Sequence, residues 1–401
     1  MTKEIPPDFK VPGFLAAGIP AGIKKNGEKD LALIYSEKPA VAAGVFTTNR
    51  VKAAPVLLSM ERIKPGHARA ILINSGSANA CTGKKGLADG RRLSRLVASS
   101  LKMNPENVLL ASTGVIGKPL PISLIEANLP RLLSSLSPGG LGDAARAIVT
   151  TDTFPKAVIL RRKVSGREIT VAGIAKGAGM ISPQMATLLA FVVTDASISL
   201  KALRQSLKEG VRESFNRVIV DGDMSTNDTL LILANGEARN REIVPATAGY
   251  KNFFLLLQEV LLSLAQKIAG DGEGATKLVT IAVERARTAS EAERVARAVA
   301  TSALVKTAFF GEDANWGRIL CAAGYSGVPV DPNKIDVYFN DVAVVRRGQG
   351  TGPAMEKKAA AVMQKREYTV RINLNQGQKR ISFFTTDFSF DYVKINASYR
   401  S

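Results

Sequence analysis

Apolar side chains recur along the chain with two alternating periods. Leu93, Leu96, Val97 and Leu101 fall at i, i+3, i+4 and i+8, which sets one apolar stripe on a helix over roughly residues 87–102. The short apolar run 107–112 that follows predicts a buried strand. A second helix is predicted over 122–136 and stops at Ser137-Pro-Gly-Gly140. Ala157-Val-Ile-Leu160 and Ile169-Thr-Val-Ala-Gly-Ile174 flank Ser165-Gly166, a hairpin signal. Leu200, Leu203, Leu207, Val211 and Phe215 form another helical stripe, and residues 253–268 form a more apolar helix ended by Gly270. Ser290-Glu-Ala-Glu293 reads as a capping box opening a helix to about Lys306. Beyond it the pattern alternates as strands do, in 335–345 around Asn340-Asp341, in 368–374, and in 381–385 after Gln376-Gly377. The pattern as a whole predicts an α/β protein, sheets covered by helices.

Composition narrows the chemistry. With 401 residues, 46% of them hydrophobic, the chain can bury one large or two medium cores. Its single histidine, His67, and two cysteines, Cys81 and Cys321, exclude a zinc finger, a paired-histidine metal site and a disulfide framework, so no metal is expected. His67 follows Lys64-Pro-Gly and is expected in a solvated loop, which leaves a general base other than imidazole. The acidic, proline-containing start does not read as a signal peptide. The longest apolar segments read as too short or too interrupted to span a bilayer, and sparse cysteine points to the cytoplasm. The net charge of +19 is dispersed and lacks any nucleic-acid motif, so neither nucleic acid nor membrane is an expected partner.

Four segments combine glycine with small polar residues: Asn74-Ser-Gly-Ser-Ala-Asn-Ala-Cys-Thr-Gly83, Ser112-Thr-Gly-Val-Ile-Gly117, Asp271-Gly-Glu-Gly-Ala-Thr276, and Lys176-Gly-Ala-Gly-Met-Ile-Ser-Pro-Gln-Met-Ala-Thr187 before an apolar run. Amides freed by glycine at a strand end can face an anion or an oxyanion, but each segment taken alone is more often just a tight turn. None is a Walker loop or a dinucleotide fingerprint. On spacing alone, Thr187 is a β-branched residue entering a buried strand.

Taken together, and with Gly13-Phe14, Ala42-Ala-Gly-Val-Phe-Thr-Thr-Asn49, Thr150-Thr-Asp-Thr153, Phe310-Gly-Glu-Asp-Ala-Asn-Trp-Gly-Arg318 and Asn396, these segments resemble the ornithine acetyltransferases, or glutamate N-acetyltransferases, of arginine biosynthesis. The resemblance runs nearly end to end. It implies a layered α/β sandwich shared by two chains, 1–186 and 187–401, made by self-cleavage between Ala186 and Thr187 and assembled as a heterotetramer of two α and two β chains. It also implies that Thr187, freed as an N-terminus, is the nucleophile. The reference pKa of an α-amine, about 7.7–8.0, suits it as that nucleophile's own base.

The same resemblance implies a ping-pong transfer of acetyl from N2-acetylornithine to L-glutamate, with acetyl-CoA as a further possible donor and no other cofactor. Thr113 and Gly114 match the oxyanion-hole pair. Thr150, Lys176, Thr187, Glu273, Asn396 and Ser401 match the substrate contacts. Lys176 suits an α-carboxylate and Glu273 an ammonium. Two positions depart from the family pattern: Ser401 stands where threonine is common, and Ser77 where many relatives carry asparagine. A related self-processing amidase or aminopeptidase, passing its acyl group to water, would use the same Thr187. A polyanion-binding protein is the alternative without catalysis.

Overall fold

The structure, a computed structural model, describes residues 4–182 and 188–398. Among these, residues up to 216 together with 223–268 form one compact unit, and 217–222 with 269–398 form a second. The strands of the first unit are β1 (Phe14–Ile19), β2 (Leu31–Phe46), β3 (His67–Ser77), β4 (Val108–Val115), β5 (Lys156–Val164), β6 (Arg167–Lys176) and β7 (Leu189–Thr194). After β8 (Val218–Ile219), which belongs to the second unit, β9 (Thr229–Ala234) completes them. Their order across the sheet is β4-β3-β2-β9-β7-β6-β5, with β1 paired to β2.

Strand alternation builds two apolar layers from single strands, because successive side chains point to opposite faces. Ala32 and Ile34 of β2, Ile71 and Ile73 of β3, and Leu109 and Ala111 of β4 form one core with Leu141, Ala144 and Ala145. The intervening Leu31 and Leu33, Ala70 and Leu72, and Val108 and Leu110 form another with Leu93, Val97, Ile125, Leu129 and Leu132. The helices concerned are, in chain order after α1 (Ala54–Arg62), α2 (Gly83–Ser100), α3 (Ile122–Ser134) and α4 (Leu141–Ala147). Further on come α5 (Leu200–Glu213) and α6 (Ala248–Ala269). The sheet is thus covered by helices on both faces, as the periodicity predicts.

In the second unit, β10 (Leu278–Ala286) is followed by α7 (Ala289–Thr301), α8 (Ala303–Phe310) and α9 (Trp316–Gly324). Then come β11 (Asp336–Phe339), β12 (Val342–Arg346), β13 (Gln349–Gly350), α10 (Pro353–Met363), β14 (Glu367–Asn373), β15 (Lys379–Thr386) and α11 (Phe390–Ser398). The sheet order is β13-β12-β11-β14-β10-β15-β8. Val279, Ile281 and Val283 of β10 join Val370, Ile372 and Phe383 in a core closed by Val295 and Val299 of α7 and Ile319 of α9.

Several expectations hold closely: the β5–β6 hairpin turns at Ser165 and Gly166 with φ of 50° and 84°, the two positive values of a type I′ turn. Others need correction. The helix expected from Ser290 to Lys306 is two helices. Thr288, not Ser290, accepts the capping bond from Glu291 N, and Ser302 ends α7 and caps α8. His67 is exposed but begins β3, paired with Val41, rather than lying in a loop. The apolar helix expected over 253–268 extends to 22 residues, long and apolar enough by length and composition to cross a membrane. It packs against β6, where a Cβ on Gly173 would lie 2.8 Å from Leu264 Cδ1 and 3.2 Å from Val260 Cγ1, so a glycine there admits the helix.

Candidate active site

Strands β3 and β4 run parallel and end together, with Ser75 opposite Thr113 and Gly76 opposite Gly114. Gly114 has φ of 129°, and a Cβ there would lie 2.5 Å from the carbonyl carbon of Gly76 and 2.7 Å from the nitrogen of Ser77. Only glycine fits this approach of two backbones. A buried amide network fixes the strand end. Ser112 Oγ donates to Asn74 Oδ1 (2.6 Å), and Asn74 Nδ2 donates to Ser77 O (2.9 Å). Asn227 Nδ2 donates to both Ala78 O (2.7 Å) and Ser112 O (2.8 Å). The backbone at Thr113 and Gly114 is therefore pre-set, which an oxyanion site requires.

Lys176, the last residue of β6, is 5% exposed, and its Nζ donates to Thr113 Oγ1 at 3.5 Å. Its register partner on β7 is Leu189. Beneath Lys176 lies a carboxylate buried with a second lysine: Asp152 Oδ1 accepts from Lys156 Nζ (2.5 Å) and from Gly177 N (2.7 Å), and both side chains of the pair are fully buried. Oδ2 accepts from Thr150 N at 3.0 Å. Burial alone would raise the Asp152 carboxyl, but Lys156, Lys176 and the Gly177 amide outweigh it and hold the group well below the usual carboxylate range. Lys24, whose Nζ donates to Val149 O (2.7 Å), is lowered by burial and by the positive charge of Lys176, against the pull of Glu28, Asp30 and Asp152. Asp152 thus joins the backbone of Thr150 to that of Gly177 and sets a negative charge beside Lys156 and Lys176. Past Gly177 the backbone bends sharply, with Met180 in the left-handed region at φ of 55°.

The second unit carries the other pair. Glu273 Oε2 accepts from Asn396 Nδ2 at 2.9 Å, joining the 271–277 loop to α11. Gly274 has φ of 66°, and a Cβ there would meet Tyr392 N at 2.4 Å, so the loop lies directly on the start of that helix. Glu273 itself is 9% exposed. No group of three or more histidine, cysteine, aspartate or glutamate side chains suited to a metal occurs among the described residues.

The family model of ArgJ matches residues 15–401. The chain belongs to the ArgJ family. The "Arginine biosynthesis bifunctional protein ArgJ" of Geobacter sulfurreducens is 51% identical over 393 residues, covering 98% of this chain and all of that one. The protein of the same name from Thermotoga neapolitana is 45% identical over 395 residues, covering 97% and 99%. A solved ArgJ structure from Bacillus halodurans is 41% identical with a TM-score of 0.50, and it covers 52% of this chain and 98% of its own. Membership of the ArgJ family makes the chain an acyltransferase with the glutamate N-acetyltransferase role in arginine biosynthesis that the resemblance implied.

Against the residues expected from sequence, the structure brings Thr113, Gly114, Thr150 and Lys176 to one end of the ArgJ sheet, and Glu273 and Asn396 to one loop–helix contact. Ala186, Thr187 and Ser401 lie outside the described residues. Ser77 serves the backbone, its Oγ donating to Lys118 O (3.2 Å) and accepting from Asn79 N (3.4 Å). Sequence reasoning missed Asp152, Lys156 and Asn227. Asp152 stood inside the Thr150–Thr153 motif, and nothing in its spacing to Lys156, the first residue of β5, marks the pair as buried.

Proposed function

We propose that the chain cleaves itself between Ala186 and Thr187, and that Thr187 then carries acetyl from N2-acetylornithine to L-glutamate. Thr187 Oγ adds to the acetyl carbonyl as the threonine's own α-amine takes the hydroxyl proton. The tetrahedral oxyanion is received by the Thr113–Gly114 strand end. Collapse breaks the C–N bond, the proton passes to the departing amine, and ornithine leaves an acetyl ester on Thr187. The neutral amine of glutamate then attacks that ester, and the reverse proton transfers restore the free hydroxyl. Lys176 holds a substrate α-carboxylate, Glu273 a substrate ammonium, and Thr150, Asn396 and Ser401 complete the contacts.

The observation that carries this reading is the meeting of Lys176 and Thr113 at 3.5 Å, beside a strand end preorganised by Gly114, at a sheet position whose register partner Leu189 stands two residues after Thr187. The solved Bacillus relative adds support. Its chain corresponds to about half of this one, the size class of the 186- and 215-residue fragments. The word bifunctional in the relatives' names supports a second acetyl donor, for which acetyl-CoA is our reading. A cytoplasmic assembly of two α and two β fragments completes the proposal.

An intact-mass spectrum of the purified protein tests the cleavage: two fragments are expected, the second beginning at Thr187, and Thr187→Ala should stay whole and inactive. Supplying acetylornithine with and without glutamate tests the transfer. Acetylglutamate is the expected product, whereas acetate alone would identify an amidase, and an uncut, fully active chain would overturn the nucleophile.

A further inference from the structure

Lys306 is the second unit's most deeply placed cation, fully buried on α8 and unused by the chemistry above. Its ammonium donates to Thr385 Oγ1 (3.1 Å), to Thr386 Oγ1 (3.0 Å) and to the carbonyl of Thr386, and it lies 4.6 Å from the centre of the Phe388 ring. Its backbone carbonyl accepts from Phe388 N at 3.1 Å. Both ends of the residue therefore grip the segment 385–388 where β15 ends.

The residue in the middle of that segment is Asp387, 1% exposed, and it points at the loop of Glu273. Oδ1 accepts from the amides of Thr276 and Lys277, each at 2.9 Å, and Oδ2 accepts from Thr276 Oγ1 at 2.6 Å. Two residues on, Ser389 Oγ donates to Gly274 O at 2.6 Å. Lys306 thus holds Thr385, Thr386 and Phe388, and their chain neighbours Asp387 and Ser389 bond to Thr276, Lys277 and Gly274, the residues that follow Glu273 in its loop.

We infer that Lys306 is a positioning residue for substrate recognition, holding the Asp387 segment so that the 271–277 loop presents Glu273 and Asn396 to the ammonium group of the acetylated diamino-acid donor. The inference rests on the assignment of Glu273 to a substrate ammonium made under the proposed function. Desolvation supports it. Burial pulls the Lys306 ammonium down to about 7 against the attraction of Asp387 and Asp221, so the fold keeps an ionisable amine here at a desolvation cost that an apolar side chain of the same length would not incur.

The test is a double-mutant cycle on the processed enzyme, using Lys306→Met and Glu273→Gln. Lys306→Met is expected to raise KM for acetylornithine about tenfold, a loss of roughly 1.4 kcal/mol, with kcat changed less than threefold and self-cleavage complete. In the Glu273→Gln background the same substitution should change KM by less than twofold. Hydrogen exchange of the Thr276 and Lys277 amides should quicken in Lys306→Met. Should that variant fail to accumulate, Thr386→Val removes one of the three acceptors and is expected to shift KM and amide exchange in the same direction. Unchanged KM and exchange, or effects that add fully across the cycle, would overturn the inference. A wild-type enzyme that forms no acetylglutamate would instead overturn the proposed function, while the amide exchange would still report whether Lys306 holds the loop.

Discussion

Lys156 Nζ lies 2.5 Å from Asp152 Oδ1 with both side chains fully buried, and through the other contacts of that carboxylate the pair ties the backbone at Thr150 to the backbone at Gly177. Breaking a buried pair from one side leaves an uncompensated charge, which costs about 3–5 kcal/mol. Asp152→Asn should therefore lower unfolding free energy by that order in urea titration and, by releasing Gly177, slow self-cleavage. A variant as stable as the wild type would show that the pair is not what holds this part of the sheet.

The same carboxylate sets an acid limit. Because its pKa is depressed in the fold relative to about 3.9 in the unfolded chain, its contribution is fully present above about pH 4 and is lost as pH falls toward the folded value. Acid titration of stability should accordingly be shallower in Asp152→Asn than in wild type below pH 4. Parallel curves would contradict the assignment.

Gly114→Ala should be among the most damaging single-methyl changes in the site. Its Cβ would press on the backbone of Gly76 and Ser77, moving the strand end that the proposed function assigns to the oxyanion. Loss of one oxyanion donor commonly lowers kcat by about 10²–10³. Single-turnover acetylation of Thr187 measures it, and a rate within tenfold of wild type would exclude this strand end from the oxyanion site.

Asn396→Ala removes the amide that donates to Glu273 Oε2. Hydrogen bonds to charged groups contribute about 1.5–3 kcal/mol, so KM for acetylornithine should rise roughly 10–100-fold while cleavage proceeds normally. Steady-state kinetics at fixed glutamate would reveal it, and an unchanged KM would remove Asn396 from recognition.

What the sequence made legible is local. The stripes that become α2 and α5 and the turn at Ser165-Gly166 depend on neighbours within a few residues, and they appear nearly where expected. The motif residues Thr113, Gly114 and Lys176 were legible because they sit in glycine-rich segments, yet their meeting depends on β4 and β6 lying in one sheet with four other strands between them. Sheet order is non-local: β10 lies between β14 and β15, which no turn signal near Gln376-Gly377 discloses. The boundary at Ser302 was hidden because α7 and α8 share an apolar pattern, and only the serine side chain capping Val305 N separates them. Asp152 and Lys156 look like solvated charges in a linear chain, and burial alone reveals the pair.

The sheet order of the first unit carries a consequence for the proposed cleavage before Thr187. Strands β7 and β9 belong to the portion after Thr187, and they lie side by side in the middle of the sheet, β7 zipped to β6 and β9 to β2, both from the portion before it. A cut at the proposed Ala186–Thr187 bond would break none of the rungs of those ladders, so the fragments would stay interleaved without any docking step. Once unfolded, however, the pieces must find each other by diffusion. Refolding of the uncut Thr187→Ala chain should be first order, and that of the cut protein should slow on dilution, so that the proposed maturation would turn a reversible fold into one made once.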